Sequence, residues 1–260
     1  MSEIITSKDN EKIKGIARLM SSAAERRAEG LFVVETPKLA IDIASNFPSA
    51  VHELYHTEEA LQKAPGLSFL GGVHYVISDI VAKKLSGQKS VSGVFLIAKM
   101  PPEQNFAPKN GQKYICLEEI QDPANVGAIL RTAAAFGFYG AVITQSSADP
   151  FSQKALRASM GAALKLQIQI TNNLKNDIKI LQQADIIVIA ATLQDAKSIT
   201  NCTAQSGVAV CIGNEGSGLS EELTHLADER LFIPMQINTE SLNAAAAATV
   251  FMWHFRGGEL

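Results

Sequence analysis

Cysteine and tryptophan are scarce in this sequence, which holds three cysteines and one tryptophan among 260 residues. Cys116, Cys202 and Cys211 are too few and too far apart for a disulfide framework or a zinc site. Cys116 and Cys211 lie in apolar runs, where a reduced thiol behaves as a small hydrophobic side chain. We therefore predict a fold that depends on neither disulfides nor a metal ion.

Long apolar segments and targeting patterns are also lacking. No apolar run approaches the ~18 residues that cross a bilayer, and residues 1–9 show neither a secretory signal pattern nor an Arg-rich transit pattern. With 47% hydrophobic and 19% charged residues, the chain can bury a large core, which excludes global disorder. We expect a cytoplasmic protein that does not contact a membrane.

A strong excess of charge is missing as well. The net charge is −3 at pH 7, so the total charge does not point to a nucleic-acid partner. Residues 8–27 nevertheless contain six basic and three acidic residues. A local positive patch can bind phosphates even on an acidic protein, but the same pattern fits an ordinary solvated helix face.

The first hundred residues have the pattern of a small α/β domain. A helix precedes Gly30, which ends it, and the apolar face of that helix is formed by Ile13, Ile16, Ala17 and Met20. Residues 101–112 hold three prolines and a glycine, which predicts a linker. Other patterns of this half predict strands at 31–34, 51–56 and 94–98 and helices at 37–45, 57–64 and 79–86.

From residue 113 onward, near-continuous apolar strands alternate with helices. This order is typical of a parallel sheet that is covered by helices on both faces. Ligands bind to such sheets at the carboxyl ends of the strands. The predicted strands are 114–118, 141–144, 166–171, 186–191, 208–212 and 231–233, and the predicted helices are 125–137, 152–159, 173–183, 220–226 and 241–255.

The first unusual segment after a strand is 121–133. Asp122 before Pro123 fits a turn, and Asn125 fits the N-cap of the following helix. Arg131 is the only charged residue from Pro123 to Ala148 and lies in an alanine-rich helix. We predict that Arg131 supplies a fixed cation to a site, although an arginine that merely extends to water would also fit.

The second segment, 208–220, is a predicted buried strand that runs into Gly213, Gly216 and Gly218. The glycine order matches neither the dinucleotide fingerprint nor a phosphate-binding P-loop. It favours a loop that presents its backbone closely to a flat ligand. Glu215 lies between these glycines, and we predict that it pairs with Arg131, while a plain tight turn with a surface charge is the alternative.

The third segment, 232–244, follows the last predicted strand. The strand ends at Pro234, and Ser241 or Thr239 begins a helix of small residues. Asn243 would then lie in the first helical turn. If it is buried there, its amide must be satisfied by the backbone or by a ligand.

Together, these segments resemble in order and spacing the three motifs of the SpoU (TrmH-like) RNA ribose methyltransferases of the SPOUT superfamily. The resemblance covers most of residues 113–260 and includes the segment 157–162. One departure is that loop 236–239 lacks the glycine usual after Ile-Pro-Met. The motifs are Asn125…Arg131, the glycine-rich stretch 213–219 and Ile233-Pro234-Met235…Ser241-Leu242-Asn243.

The first half is similar to the ribosomal-protein-like RNA-binding domain that precedes the catalytic domain in many members. Thr36 departs from this pattern, because glycine usually follows the glutamate. The resemblance implies an RNA substrate-binding domain at 1–100, a linker at 101–112 and a SpoU-type methyltransferase domain at 113–260. The similar residues are Ile5-Thr6-Ser7, Asn10, Arg27 and Phe32-Val33-Val34-Glu35.

The resemblance implies an enzyme that transfers a methyl group from S-adenosylmethionine to a ribose 2′-hydroxyl of structured RNA. Ribosomal RNA is the first expected substrate, and transfer RNA is the alternative. The family also implies a homodimer and a deep trefoil knot in the C-terminal α/β domain. The residues implied around the cofactor are Gly213, Glu215, Gly218, Leu219, Ile233, Met235, Ser241 and Leu242.

The catalytic residues implied by the family are Arg131, Asn125, Glu215 and Asn243. The family assigns activation of the hydroxyl to the arginine, but a guanidinium with a pKa above ~12 is a poor base. We expect Arg131 instead to hold an RNA phosphate and stabilise the developing alkoxide. Asn125 and Asn243 would orient the ribose or brace the site, and Glu215 would position Arg131.

Two other classes of protein fit parts of the sequence. A nucleotide-cofactor enzyme such as a dehydrogenase would use a doubly wound sheet, but the glycine order speaks against it. A non-catalytic RNA-binding protein on the same fold would explain the unusual loop 236–239. Binding of S-adenosylmethionine would weaken the second alternative.

Overall fold

The computed structural model describes residues 4–86, 91–102, 106–203, 207–236 and 241–256. The chain divides into two compact units. The first unit comprises Met1–Glu103 together with Phe151–Arg157, and the second comprises Gln104–Pro150 and Ala158–Leu260. Within the described ranges, every helix is too short or too polar to cross a bilayer.

The first unit has a mixed sheet of strand order β1-β4-β2-β3, in which β4 is antiparallel to its two neighbours and β3 is parallel to β2. The predicted strands are confirmed, and β3 was missed. The elements up to residue 102 are α1 (Glu11–Ser21), α2 (Ala23–Glu29), β1 (Leu31–Val34), α3 (Pro37–Asn46), β2 (Val51–His56), α4 (Glu58–Lys63), β3 (Val73–Val76), α5 (Asp79–Ser86) and β4 (Val94–Lys99), with 3-10 turns at Pro48–Ala50 and Pro65–Phe69.

The single helix predicted before Gly30 is in fact two helices that meet at Ser22. The Ser22 hydroxyl accepts a hydrogen bond from the Glu25 amide and caps α2, while the Ser22 amide ends α1. Because serine favours cap positions over helix interiors, the break occurs there. The buried residues of α1 are Ile13, Ile16 and Leu19, whereas Ala17 is exposed.

Two buried ionic groups stabilise the first unit. Arg26 is only 4% exposed and donates from Nη1 to the carbonyl of Leu19 at 2.6 Å, which satisfies the carboxyl end of α1. Glu35 is 5% exposed and accepts hydrogen bonds from Ser86 and, at 3.2 Å, from Arg157. Segment 151–157 therefore completes the packing around β1, because a buried carboxylate requires such partners.

The second unit contains the predicted alternation of strands and helices. Its elements, together with α7, which lies mostly in the first unit, are β5 (Lys113–Leu117), α6 (Pro123–Ala135), β6 (Gly140–Thr144), α7 (Gln153–Ser159), β7 (Gln167–Thr171), α8 (Leu174–Gln183), β8 (Ile187–Ala191), β9 (Lys197–Ser198), β10 (Val208–Ile212), α9 (Glu221–Leu226), β11 (Glu229–Phe232) and α10 (Ala244–His254), with 3-10 turns at Ala162–Lys165 and Ile199–Asn201.

The sheet of the second unit is parallel throughout its described pairings, in the order β7-β6-β5-β10-β8-β11-β9. Side chains on both faces of β5 and β10 are buried, as a sheet covered by helices requires. Helix α8 packs on the face that carries Cys116 and Cys211, and α10 packs against β10. The predicted α/β class is confirmed, while the trefoil knot stays a prediction.

Candidate cofactor cavity and catalytic residues

A cavity of about 500 Å³ lies in the second unit, where β8, β10 and β11 reach their carboxyl ends. Its described walls come from stretches that are distant in sequence, namely 191–194, 212–219, 231–235 and 241–251. All eight residues predicted to surround a cofactor line it: Gly213, Glu215, Gly218, Leu219, Ile233, Met235, Ser241 and Leu242. The parallel sheet thus brings the second and third motifs to one place.

The glycine loop, residues 213–219, turns back on itself at one wall of the cavity. The amide of Asn214 donates to the carbonyl of Gly218 at 3.1 Å, and the amide of Gly218 donates to the carbonyl of Asn214 at 2.9 Å. A Cβ atom on Gly213 would lie 2.2 Å from the carbonyl carbon of Gly218, so only glycine fits there. The backbone of the loop therefore packs closely on itself, while its predicted close approach to a flat ligand stays a prediction.

The rest of the cavity is mainly apolar. Leu231 and Phe251 are buried behind it, with 0% and 2% exposure. Met235 and Leu242 are each 39% exposed and also line it. Apolar walls with a few polar backbone groups are typical of a site for a small organic cofactor with a flat ring.

Glu215 pairs with Asn125 and not with Arg131, which corrects the predicted ion pair. The Asn125 Nδ2 donates to Glu215 Oε1 at 2.7 Å. This hydrogen bond joins helix α6 to the glycine loop and therefore links the first motif to the second. Glutamate reaches the nearer amide because Asn125 lies near the start of α6, whereas Arg131 lies six residues further along a helix that rises about 1.5 Å per residue.

The N-cap of α6 is Asp122, whereas Asn125 was predicted to fill that position. The Asp122 carboxylate accepts a hydrogen bond from the Ala124 amide at 2.9 Å, and Pro123 occupies the first helical position. Proline favours that position because its missing N–H is not needed there. Asn125 is therefore inside the helix, with its side chain free to reach the glycine loop.

Arg131 is exposed on α6 and is not among the residues that line the cavity. Among the residues that the structure describes, it forms no ion pair or hydrogen bond. The structure therefore does not bring its guanidinium into contact with the glycine loop. An exposed cation without a protein partner is available to a ligand phosphate.

Asn243 is the N-cap of α10, which begins at Ala244 and not at Ser241 or Thr239 as predicted. Its Oδ1 accepts a hydrogen bond from the Ala246 amide at 2.8 Å. The residue is exposed, so the condition of burial considered for it does not apply, and its oxygen is satisfied by the backbone. Thr239 and most of the unusual loop 236–239 lie outside the described residues.

Sequence reasoning missed the wall formed by Ala191–Gln194. These residues follow β8 directly, and Leu193 is 74% exposed beside the cavity. The available signal was their position after a buried parallel strand, which is the general place for ligand loops. Asn214 was also missed, although it lies between Gly213 and Glu215.

The buried cysteines do not contribute a nucleophile to this site. Cys116 and Cys211 are neighbours on β5 and β10, with 0% and 1% exposure. A hydrogen bond with Cys211 and burial together raise the pKa of the Cys116 thiol well above its usual value. The neutral thiol is a weak nucleophile, so this pair has a packing role. In the described part of the chain, no three His, Cys, Asp or Glu side chains could hold a metal ion.

The sequence comparison agrees with the geometry. A model of the SpoU rRNA methylase family matches residues 112–253, which is more than half of the chain and includes all three motifs. The chain belongs to the SpoU rRNA methylase family. The family resemblance predicted from the three motifs is therefore confirmed.

Full-length relatives support this assignment. The chain is 27% identical to the 23S rRNA (guanosine(2553)-2′-O)-methyltransferase RlmP of Bacillus subtilis, over 97% of this chain and 99% of RlmP. It is 29% identical to an uncharacterized tRNA/rRNA methyltransferase of Synechocystis, over 97% and 93% of the two chains. The structure of an AdoMet-bound rRNA methyltransferase from Sinorhizobium meliloti shares 26% identity and a TM-score of 0.84, over 98% of this chain and 97% of the other.

Proposed function

We propose that this SpoU family member transfers the methyl group of S-adenosylmethionine to a ribose 2′-hydroxyl of ribosomal RNA. The observation that carries the proposal is that the second and third motifs line one cavity and that the Asn125–Glu215 hydrogen bond joins the first motif to its wall. The enzyme class and the cofactor follow from the family and from the AdoMet-bound neighbour. The RNA class follows from the family and from RlmP.

The cavity residues fit S-adenosylmethionine. A volume of about 500 Å³ is in the range of pockets for ligands of this size. The apolar walls and the exposed backbone of the glycine loop suit an adenine ring, and the described lining residues include no basic cluster of the kind that a phosphate would require. When bound, the cofactor supplies an activated methyl group with a neutral thioether as leaving group.

We assign to Arg131 the role of holding the RNA beside the cavity. It offers a planar cation with several N–H donors, so it binds a phosphate and stabilises negative charge that develops on the ribose oxygen. Its exposure and its lack of a described protein partner leave it available for this contact.

Asn125, Glu215 and Asn243 orient groups at the opening of the cavity. The hydrogen bond from Asn125 fixes the Glu215 carboxylate, which leaves its second oxygen to accept a hydrogen bond from a ligand. Asn243 uses Oδ1 to cap α10, so Nδ2 is the atom that it offers to a ribose. These roles align the reactants and need no further chemical group.

Unit 1 is our candidate for the RNA substrate-binding domain, joined to the catalytic domain by the linker 101–112. The basic patch at 8–27 is smaller than its sequence indicates, because Arg26 is buried and Lys14 pairs with Glu11 at 2.8 Å. Lys8 and Arg27 are exposed and have no described ion pair. A double substitution of Lys8 and Arg27 by alanine should therefore weaken RNA binding and reduce its salt dependence.

We propose that the protein acts as a homodimer in the cytoplasm, where ribosomal RNA is present. Helices α6 and α10 pack together in the second unit. On α10, Val250 and Trp253 are 37% and 51% exposed, which leaves apolar surface for a second copy. Sedimentation of the wild type should give twice the monomer mass, and Val250→Glu should shift it to the monomer.

The experiment that tests the function combines purified protein, labelled methyl donor and separated ribosomal and transfer RNA. Label should enter ribosomal RNA and survive alkaline hydrolysis in a 2′-O-methylated dinucleotide. Arg131→Ala should lose at least about 100-fold in kcat/KM, and Arg131→Lys should recover part of the loss because the charge is kept. Lys179→Ala, which removes an exposed cation from α8, is the control and should remain active.

Each alternative gives a different result in the same experiment. Label in transfer RNA alone would identify a tRNA ribose methyltransferase. Binding of S-adenosylmethionine and RNA without transfer would indicate a non-catalytic protein. Equal labelling by the wild type and Arg131→Ala would contradict the role given to Arg131.

A further inference from the structure

The side chain of Asn214 connects the inside of the glycine loop to a different part of the chain. Its Oδ1 accepts hydrogen bonds from the amides of Gly216 at 2.8 Å and Ser217 at 3.2 Å. Its Nδ2 donates to the carbonyl of Glu119, 95 residues earlier, at 2.9 Å. Both ends of this one amide are therefore used.

The turn after β5, residues 118–119, holds the glycine loop at two further points. The Glu118 amide donates to the carbonyl of Ile212 at 2.9 Å, just before the loop. The Glu118 carboxylate accepts from the Ser220 amide at 2.8 Å, just after it. The turn is itself fixed, because the Glu119 amide donates to the Thr144 hydroxyl at 2.9 Å. The turn thus forms hydrogen bonds with the residue before the loop, with Asn214 inside the loop and with the residue after the loop.

The glycine loop has little else to hold its shape. Residues 215–218 are all exposed, so apolar burial contributes little to their conformation. Gly213 packs so closely on Gly218 that a small displacement of either residue would change the wall of the cavity. The loop conformation therefore depends mainly on hydrogen bonds, and those of Asn214 lie at its centre.

We propose that Asn214, anchored to the turn 118–119, is a positioning residue that holds the glycine loop in the conformation that binds S-adenosylmethionine. The proposal rests on the cofactor assigned under the proposed function and adds a residue that acts through the loop backbone. Asparagine suits this position because its amide both accepts and donates hydrogen bonds. Aspartate would keep the contacts with Gly216 and Ser217 and lose the one with Glu119.

The test compares Asn214→Ala and Asn214→Asp with the wild type of the full-length protein. Hydrogen exchange of the cofactor-free protein reports the loop directly, and calorimetric titration gives the Kd for S-adenosylmethionine. Asn176 supplies matched controls, because it is exposed on α8 and its side chain has no described hydrogen bond. Asn176→Ala and Asn176→Asp should match the wild type in both measurements.

We expect Asn214→Ala to raise the Kd about 10- to 100-fold and Asn214→Asp to raise it about 3- to 10-fold, since three hydrogen bonds are lost in the first and one in the second. The amides of 213–220 should exchange faster in both variants without cofactor, and the KM for RNA should stay within about 2-fold. If Asn214→Ala does not fold, the result for Asn214→Asp decides.

Three outcomes would overturn the proposal. These are an unchanged Kd in folded Asn214→Ala, unchanged loop exchange in both variants, and a rise in the KM for RNA without a rise in the Kd for the cofactor. Failure of the proposed function gives a different result, because the wild type itself would then bind no S-adenosylmethionine.

Discussion

Three buried polar groups of unit 1 contrast with two accessible polar groups of unit 2. In unit 1, Arg26, Glu35 and His56 are at most 5% exposed, and each forms hydrogen bonds within its own unit. In unit 2, Asn125 is half-buried near the start of α6, and Glu215 is exposed in the loop after β10, which lines the cavity. The two side chains are joined by a hydrogen bond. The buried polar groups thus form hydrogen bonds that stabilise the fold, whereas the polar groups near strand and helix ends remain accessible to a ligand.

The same contrast explains why the motifs of unit 2 identify a protein family more specifically than the motifs of unit 1. Arg26 donates a hydrogen bond to the carboxyl end of a helix, and other residues can cap a helix end equally well. The glycine loop must line the cavity and also leave no side chain at Gly213, where an added Cβ would lie 2.2 Å from Gly218, and few sequences satisfy both conditions. Substitutions at the cavity of unit 2 should therefore affect function, and substitutions of the buried polar groups of unit 1 should affect stability. Four predictions test this division.

The largest expected effect is that of Gly213→Ala. The added Cβ would overlap Gly218 and displace the loop, so the Kd for S-adenosylmethionine should rise more than about 100-fold. Gly216→Ala is the matched variant, because its Cβ would meet only Asn214 Oδ1 at 3.4 Å, and its effect should be much smaller. Calorimetric titration measures both, and equal effects would contradict the role of the close contact.

The second effect is on the stability of unit 1. Arg26→Ala leaves the buried carbonyl of Leu19 unsatisfied and should destabilise this unit by about 2–4 kcal/mol. Hydrogen exchange should show faster exchange in β1–β4 and little change in β5–β11. Arg27→Ala changes the exposed neighbour on α2 and should leave exchange in β1–β4 within the experimental error. A loss confined to β5–β11 would contradict the division between the units.

A smaller effect is expected for the Asn125–Glu215 hydrogen bond. Asn125→Ala and Glu215→Gln should each reduce kcat/KM, and a double-mutant cycle should give a coupling energy of about 0.5–3 kcal/mol. The same cycle between Arg131→Ala and Glu215→Gln should give a smaller coupling, since these side chains are not paired in the structure. Additive effects of Asn125 and Glu215 would show that their contact has no part in transfer.

The smallest expected effect is that of His56 on the pH dependence of the unfolding free energy. Burial lowers the pKa of His56 from its ordinary value of 6.5, and the nearby His74 also lowers it. The unfolded chain therefore binds the proton first, so the stability contributed by neutral His56 is full above about pH 6.5 and falls as the pH drops through the folded pKa. The loss of unfolding free energy between pH 7.5 and 5.5 should be smaller in His56→Gln than in the wild type.

The control for that prediction is His52→Gln. His52 is exposed on β2, the same strand that carries His56. Its variant should follow the wild type across the same pH range. If His52→Gln flattened the profile as much as His56→Gln does, burial would not be the cause.

Much of unit 2 could be predicted from sequence. The strands 114–118 and 208–212 were recognised because strands buried on both faces form continuous apolar runs, and their parallel order follows from the helices between them. Strand β3 in unit 1 was missed, because Val73–Val76 is short and none of its residues is fully buried, so the apolar pattern is weak.

Contacts between distant residues were the least predictable part of the site. The cap at Asp122, the exposure of Asn243 and the bond from Asn125 to Glu215 each contradict or extend what the sequence indicated. Each depends on an exact helix start or on two segments that meet after folding. Local sequence preferences restrict the start of a helix to a few candidate residues, and tertiary packing decides which of them is used.

The order of the motifs, read along the chain alone, was enough to determine the family, the α/β class and eight of the residues around the cavity, because close backbone contacts and parallel strands restrict residue type locally. Only the tertiary structure decided that Glu215 contacts Asn125, that Arg131 stays exposed, and that Asn214 is tied to Glu119. Such hydrogen bonds are sensitive to shifts of a few tenths of an ångström between segments that here lie 90 and 95 residues apart, and no local pattern encodes those distances.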